Sequence, residues 1–406
     1  MRIAVANWSN RRFGGTGTYL AGLFASLEAA GHEISLLHER DAPVDHPRLQ
    51  TGAQVPVWNV EALGIDRAVA ALGAWKPDVL FSHGFLDPQI EEQTLDVAPA
   101  VFFAHDYYGT CISGFKTHRR PTTQPCDRVF GWRCLIEYHV RGCGGWSPVS
   151  MVREFRRQSS RLERLRRYRA IVTHSDRMRE EYVRHGFESA RVVKVAYGIA
   201  SEPIAAKDVT VTPRRRNGRW RLLFVGRMYT IKGGREFIDA LPKVVATIQR
   251  PLQVTFAGDG AQREEWEQRA AALRLREPMI DVEFTGWLQP DELSRLYSQT
   301  DLVVMPSLWP EPFGLVGSEA GLHGVPVAAF AVGGIPDWLR PGVNGSLASG
   351  SPPTVSGLAD AIIECLRNDE THERLRQGAR HVWSNRTFEH HLASLLAVFE
   401  DIRRAA

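Results

Sequence analysis

Several features common in other protein classes are missing here. Across 406 residues no segment approaches 18 uninterrupted apolar residues, so no stretch reads as a membrane-spanning helix. Neither charge sign is in excess. The 50 Lys and Arg against 46 Asp and Glu leave +4, and that balance names no partner. Internal repeats at solenoid periods and low-complexity tracts are absent. The opening Met1 to Ala6 is too short and too quickly polar for a secretion signal, which points to a cytoplasmic protein. Cysteine is scarce at five, and no two form the C-x-x-C pair that zinc sites usually carry.

What is present is an ordinary globular composition, 44% hydrophobic and 24% charged, on a chain long enough for two domains. Arg2 to Ala6 reads as a first parallel strand. Gly14-Gly15-Thr16-Gly17 follows, and then a helical pattern from Thr18 to Ala30 with Leu20, Leu23, Phe24 and Leu27 on one face. With a second strand at Ile34 to Leu37 this makes a βαβ unit. Bare backbone at Gly15 and Gly17 can approach a phosphate or a sugar, although the spacing is not a dinucleotide fingerprint. Asp78 to Ser82 and Ala100 to Ala104 read as buried strands ending in His83-Gly84 and His105-Asp106. Ligands in open α/β sheets bind beyond such strand ends.

Between residues 105 and 148 the pattern breaks into a Gly-, Pro- and aromatic-rich insert. It holds Cys111, Cys126, Cys134 and Cys143. Four thiols in one insert make a structural zinc site one reading, with buried free thiols or a labile disulfide the other. Residues 149–169 follow with eight Arg against two Glu, beside an apolar stripe of Met151, Val152, Phe155, Leu162 and Leu165. A basic amphipathic helix can lie on an anionic membrane surface, or can simply be a solvated face. No aromatic platform accompanies the arginines, so nucleic acid is not expected. Residues 1–200 form the first domain on this reading, and the polar, patternless stretch 201–219 reads as a linker.

The second half opens on a strand, Trp220 to Val225, running into Gly226-Arg227, with Lys232-Gly233 at the next helix start. A guanidinium and an ammonium five residues apart at a helix start can cradle a diphosphate. Val303 to Met305 then reads as a strand leading to Trp309-Pro310-Glu311-Pro312-Phe313-Gly314-Leu315, with a helix expected from Pro312. The first-turn amides would then be those of Phe313, Gly314 and Leu315, on the positive end of the dipole. Glu311 and Glu319 would stand about 12 Å apart along that helix. Ionised carboxylates only accept hydrogen bonds, so this pair can grip two ends of one polyhydroxylated ligand. That spacing exceeds the roughly 5–10 Å of a glycosidase pair.

The stretch from Val303 to Gly321, continued by Gly324-Val325-Pro326, Gly333-Gly334-Ile335-Pro336 and Gly342-Val343-Asn344-Gly345, resembles retaining glycosyltransferases of family four. These are GT-B enzymes related to glycogen synthases and phosphatidylinositol mannosyltransferases. The resemblance implies two Rossmann-like domains facing a central cleft, the second at 220–384, and a helix within 385–406 returning to the first domain. It further implies a UDP- or GDP-sugar donor and a hydroxyl acceptor in a glycan, a lipid-linked carrier or a small molecule. Glu311 would hold the transferred hexose and Glu319 the ribose. Arg227 and Lys232 would hold the diphosphate, Gly15 and Gly17 would face it, and His105 would lie near the reacting carbon. No metal or other cofactor is required for catalysis in such enzymes. Where the family shows Asn-Gly-x-Asp, this chain has Tyr197-Gly198-Ile199-Ala200. A nucleotide-sugar epimerase or phosphorylase on the same fold, or a non-catalytic protein of the membrane's inner face, are the alternatives.

Overall fold

Apolar runs too short for helices and flanked by turn residues become parallel strands, and the chain builds two sheets from them. A computed structural model describes residues 1–11, 14–41, 48–49, 55–198, 218–384 and 386–405. The expected linker at 201–219 lies outside the described residues, apart from Gly218 and Arg219.

The first half contains β1 (Arg2–Ser9), β2 (Glu33–Arg40), β3 (Val57–Asn59), β4 (Val79–Ser82), β5 (Ala100–Phe103), a small hairpin of β6 (Thr117–His118) and β7 (Gln124–Pro125), β8 (Ala170–Thr173) and β9 (Val192–Lys194). Its parallel sheet runs β3-β2-β1-β4-β5-β8-β9. The second half adds β10 (Trp220–Val225), β11 (Leu252–Ala257), β12 (Ile280–Gly286), β13 (Leu302–Met305), β14 (Val327–Phe330) and β15 (Gly345–Ala348), ordered β12-β11-β10-β13-β14-β15. In both sheets the order reverses beside the first strand of the half, and a crevice opens there at the strand ends. Strands β4, β5, β8, β13 and β14 are buried along their whole length, as parallel strands covered on both faces must be.

The return helix forms over Phe388–Arg404. Its Leu395 and Phe399 are fully buried, and the Phe399 ring meets Phe81 of the first half at 5.0 Å. Each such side chain contributes roughly 1.5–3 kcal/mol by leaving water. No helix among the described residues is long and apolar enough to cross a membrane.

Three expectations are corrected. The first helix spans Gly14–Ala29 and so begins at the glycines themselves, ahead of Thr18. The helix expected from Pro312 begins at Leu315, because Gly314 adopts φ +90° and the Phe313 carbonyl accepts the Trp338 indole N–H at 2.7 Å. Its first-turn amides are therefore those of Leu315, Val316 and Gly317. The basic helix forms over Pro148–Leu165, short of the expected 149–169, and the arginines at and just past its end are engaged by the protein. Arg164 pairs with buried Glu91 at 3.0 Å and Arg167 with Asp96 at 2.6 Å, while Arg166 donates to the His185 carbonyl at 3.1 Å.

The insert is more ordered than its composition suggests. It carries the hairpin, a helix at Arg133–Arg141, and a small core of Ile112, Phe130 and Tyr138 shared with Met151 and Phe155. A buried ion pair between Lys116 and Glu181 fastens it to the first half.

Candidate functional site

The turn after β10 presents Arg227 and Lys232 at the mouth of the second sheet. Gly233, at φ +71°, lets that turn run against the loop after β13, where a Cβ would stand only 1.8 Å from the Pro306 carbonyl oxygen. The Leu308 amide donates to the Ile231 carbonyl at 2.8 Å and ties the two loops together. Across this seam Lys232 Nζ donates to Glu311 Oε1 at 2.6 Å, and Ser307 Oγ donates to the same oxygen at 2.6 Å. The ammonium also stands 5.1 Å above the Trp309 ring. Glu311 is only 6% exposed, so these two donors are what keep its charge tolerable there. Arg227 is exposed, its guanidinium over the Tyr229 ring at 5.6 Å, and it pairs with no carboxylate among the described residues.

Glu319 lies inside the helix Leu315–Leu322 and accepts the Tyr297 hydroxyl at 2.8 Å. Burial raises its pKa, and the Tyr297 bond opposes that rise. The Phe313 side chain is buried and stacks on Tyr197 of the first half, ring centroids 5.2 Å apart.

The first half supplies the facing wall. A Cβ on Gly15 would meet Leu315 Cδ1 at 3.0 Å, which places the first turn of the Gly14–Ala29 helix directly against the start of the Leu315 helix. Gly17 is buried in the same turn. His105 follows β5, and its Nε2 lies 2.7 Å from His83 Nδ1. Burial lowers the His105 pKa to about 3, so the imidazole is neutral at ordinary pH. His83 is pushed well below its usual value by burial and then by the neighbouring His105 and His174.

Two further histidines join this wall and are not evident in the sequence pattern. His174 follows β8, touches the rings of Phe103 and Phe313, and has both ring nitrogens buried without a hydrogen-bond partner. His391 comes from the return helix. Its Nδ1 donates to the Ala196 carbonyl at 2.8 Å, so its Nε2 accepts the Tyr19 hydroxyl, also at 2.8 Å. A salt link joins the halves nearby, with Lys194 Nζ 2.6 Å from Asp176 and 2.7 Å from Asp337.

The structure thus brings Arg227, Lys232, Glu311 and the Pro312–Leu315 loop together on one side, with Gly15 and His105 on the other. The insert thiols stand apart from this set. Cys111, Cys126, Cys134 and Cys143 are free, and no three His, Cys, Asp or Glu among the described residues are arranged to hold a metal ion. Burial and the neighbouring thiols together push Cys143 up to about 12.

Comparison with known proteins agrees with this architecture. The family model described as "Glycosyl transferases group 1" matches residues 211–382, and "Glycosyl transferase 4-like domain" matches residues 14–198. A glycogen synthase of Mycobacterium tuberculosis is 26% identical over 94% of this chain and 89% of its own length. A D-inositol 3-phosphate glycosyltransferase of Corynebacterium efficiens is 34% identical over 38% of the chain and 37% of its own. Among solved structures, Anabaena HepE in complex with UDP and glucose superposes with a TM-score of 0.66 at 18% identity, covering 98% of this chain and 99% of that one. Sucrose-phosphate synthase from Thermosynechococcus elongatus gives 0.67 at 19% identity, with both chains fully covered. With the two family models together spanning most of its length and the two-sheet GT-B fold in place, the chain belongs to the GT4-like glycosyltransferases.

Proposed function

We propose that the protein is a retaining hexosyltransferase that moves a hexose-type sugar from a UDP- or GDP-sugar to a hydroxyl group on a glycan, a lipid-linked carrier or a small molecule. One observation carries the reading: the Lys232–Glu311 contact, which joins the diphosphate-type cradle to the sugar-type carboxylate in one loop pair. HepE with UDP-glucose, a structural neighbour, supports a nucleotide-sugar donor.

In this reading Arg227 and Lys232 hold the donor diphosphate. Preorganised cations aimed at developing negative charge usually contribute most to such a transfer. Glu311 accepts hydrogen bonds from the hexose hydroxyls, and Glu319 accepts them from the ribose. The amides of Leu315 and Val316 and the bare backbones of Gly15 and Gly17 complete the cradle. As the bond from the anomeric carbon to the diphosphate oxygen breaks, the acceptor oxygen bonds to that carbon from the same face. The acceptor proton passes to the departing diphosphate oxygen. His105, held neutral, offers a hydrogen bond to the sugar without adding charge. The enzyme would act in the cytoplasm, soluble or at the membrane's inner face.

A thermal-shift screen of UDP-, GDP- and ADP-sugars tests the donor, because a ligand that binds only the folded chain raises its melting temperature. No shift with any of them would refute the reading. Analysing the product linkage after turnover tests retention.

A further inference from the structure

The insert carries an apolar face that the donor site does not use. Trp132, Ile136, Val140, Trp146, Val149 and Val152 are between 38% and 76% exposed. The first three recur every four residues along the helix Arg133–Arg141, so they share one face of it. The opposite face is spoken for, because Tyr138 packs into the small core with Ile112 and Phe130. Trp146 lies over the end of the same helix, its ring stacked on His139 at 6.1 Å. Val149 and Val152 are exposed on the first turns of the helix Pro148–Leu165, which begins two residues after Trp146.

The charges over this face that have no ion-pair partner among the described residues are arginines. Arg120 stands 4.6 Å over Trp146 and Arg133 stands 5.6 Å over Trp132. Arg119 is exposed at the end of the helix Arg133–Arg141, where its amide donates to the Arg141 carbonyl at 2.9 Å. The acidic residues of the stretch are already engaged: Asp127 by Arg177 at 2.7 Å, Glu137 by Arg141, and Glu154 by Arg157 at 3.7 Å. Indoles beside a guanidinium suit a headgroup boundary, where one end of the ring is apolar and the other wet.

We propose that this face of the insert docks the protein on an anionic lipid bilayer, with the tryptophans and aliphatic side chains entering the headgroup boundary and the arginines on lipid phosphates. A second copy of the chain is the less fitting occupant. A self-complementary contact would set the arginine rim against itself, with the face's own carboxylates already paired. The docking surface is the insert's helix and the start of the basic helix, not the length of 149–169. It also bears on the cleft: the same insert begins beside His105, and its Phe115 ring meets Trp309 of the Glu311 loop at 6.3 Å. A bilayer held there would present a lipid-borne hydroxyl next to the donor loop. The docking step itself does not depend on the donor assignment.

The test uses the full chain and extruded vesicles of phosphatidylcholine, alone or mixed with phosphatidylglycerol. The wild type should pellet with the mixed vesicles at low salt, not with the neutral ones, and high salt should release it. Trp132→Ser, Ile136→Ser and Trp146→Ser combined should weaken partitioning by roughly tenfold or more. Arg119→Ser, Arg120→Ser and Arg133→Ser combined should do the same. Leu275→Ser, a control at an 88% exposed apolar site in the second half, should bind like wild type. Brominated lipid should quench wild-type tryptophan fluorescence, a readout that needs no variant to fold. A wild type that ignores anionic vesicles, or a tryptophan variant that pellets as well as wild type, would overturn the proposal. So would a wild-type dimer that this variant dissolves, since it would make the face a contact between copies. Nucleotide-sugar thermal shifts should be the same in all of these variants, which separates failure of docking from failure of the donor reading.

Discussion

Lys232 Nζ and Glu311 Oε1 stand 2.6 Å apart although 79 residues separate them in the chain. A bound diphosphate would compete with Glu311 for that ammonium and release the carboxylate toward the sugar. Lys232→Ala and Arg227→Ala should each lower turnover by about 10²–10³-fold. They should differ in stability. Arg227 is exposed, and its loss should stay within about 0.5 kcal/mol. Lys232→Ala leaves buried Glu311 with Ser307 alone and should cost about 1–3 kcal/mol. Single-turnover rates and thermal melts read both effects, and near-normal rates in both variants would place the diphosphate elsewhere.

Glu319 and Glu311 should separate binding from chemistry. Glu319→Ala is expected to weaken nucleotide binding, while Glu311→Ala mainly lowers turnover. Because burial raises the Glu319 pKa, its carboxyl takes up a proton at a higher pH than an ordinary Glu. Affinity for a nucleotide sugar, whose phosphodiesters stay ionised, should therefore fall as the pH is lowered, and Glu319→Gln should abolish that dependence. Calorimetric titrations across the acid range measure it. Equal losses of UDP affinity in the two alanine variants would contradict the division of roles.

Much of this was legible because it is local. Short apolar runs bounded by turn residues gave the strands, and the stripe of Leu20, Leu23, Phe24 and Leu27 announced a helix with one buried face. The Glu311 to Glu319 stretch could be singled out because its residues are neighbours in sequence. What stayed hidden depends on distance along the chain. His83, His105, His174 and His391 come from three strand ends and the return helix, so no spacing could show that they gather around the Phe103 ring. The arginines of 149–169 looked free because their partners, Glu91 and Asp96, sit on another element. The helix start moved from Pro312 to Leu315 because the chain turns at Gly314, a backbone choice that Pro-Phe-Gly permits without announcing it.

The insert thiols, Cys111 buried and the other three half-buried, should behave as free thiols. Denatured protein should titrate five per chain, the full count in the sequence. In the native state, burial holds Cys126, Cys134 and Cys143 protonated, Cys143 up to about 12, so their reaction at mildly alkaline pH should be slow. A preparation carrying one zinc per chain, with the thiols unreactive until chelator is added, would show that they close further around a metal than they stand here.

The histidine wall should make the protein acid-labile. His83, His105, His174 and His391 all have lowered pKa values, about 3 for His105 and about 4 for His391, with burial the leading cause in each. Below about pH 6.5 the unfolded chain binds protons that the folded one refuses. The stability these groups contribute is thus present above pH 6.5 and is lost as pH falls toward their folded values. Each should add about 1.4 kcal/mol per pH unit within its window. His391 is the informative one to change, because it links the return helix to Tyr19 and to the Ala196 carbonyl. His391→Gln keeps a hydrogen-bonding side chain but cannot titrate, so it should melt less steeply with falling pH than wild type. Melting curves between pH 7.5 and pH 5, at about half-unit steps, would show the slope. Parallel curves for the two proteins would mean that the acid sensitivity arises elsewhere.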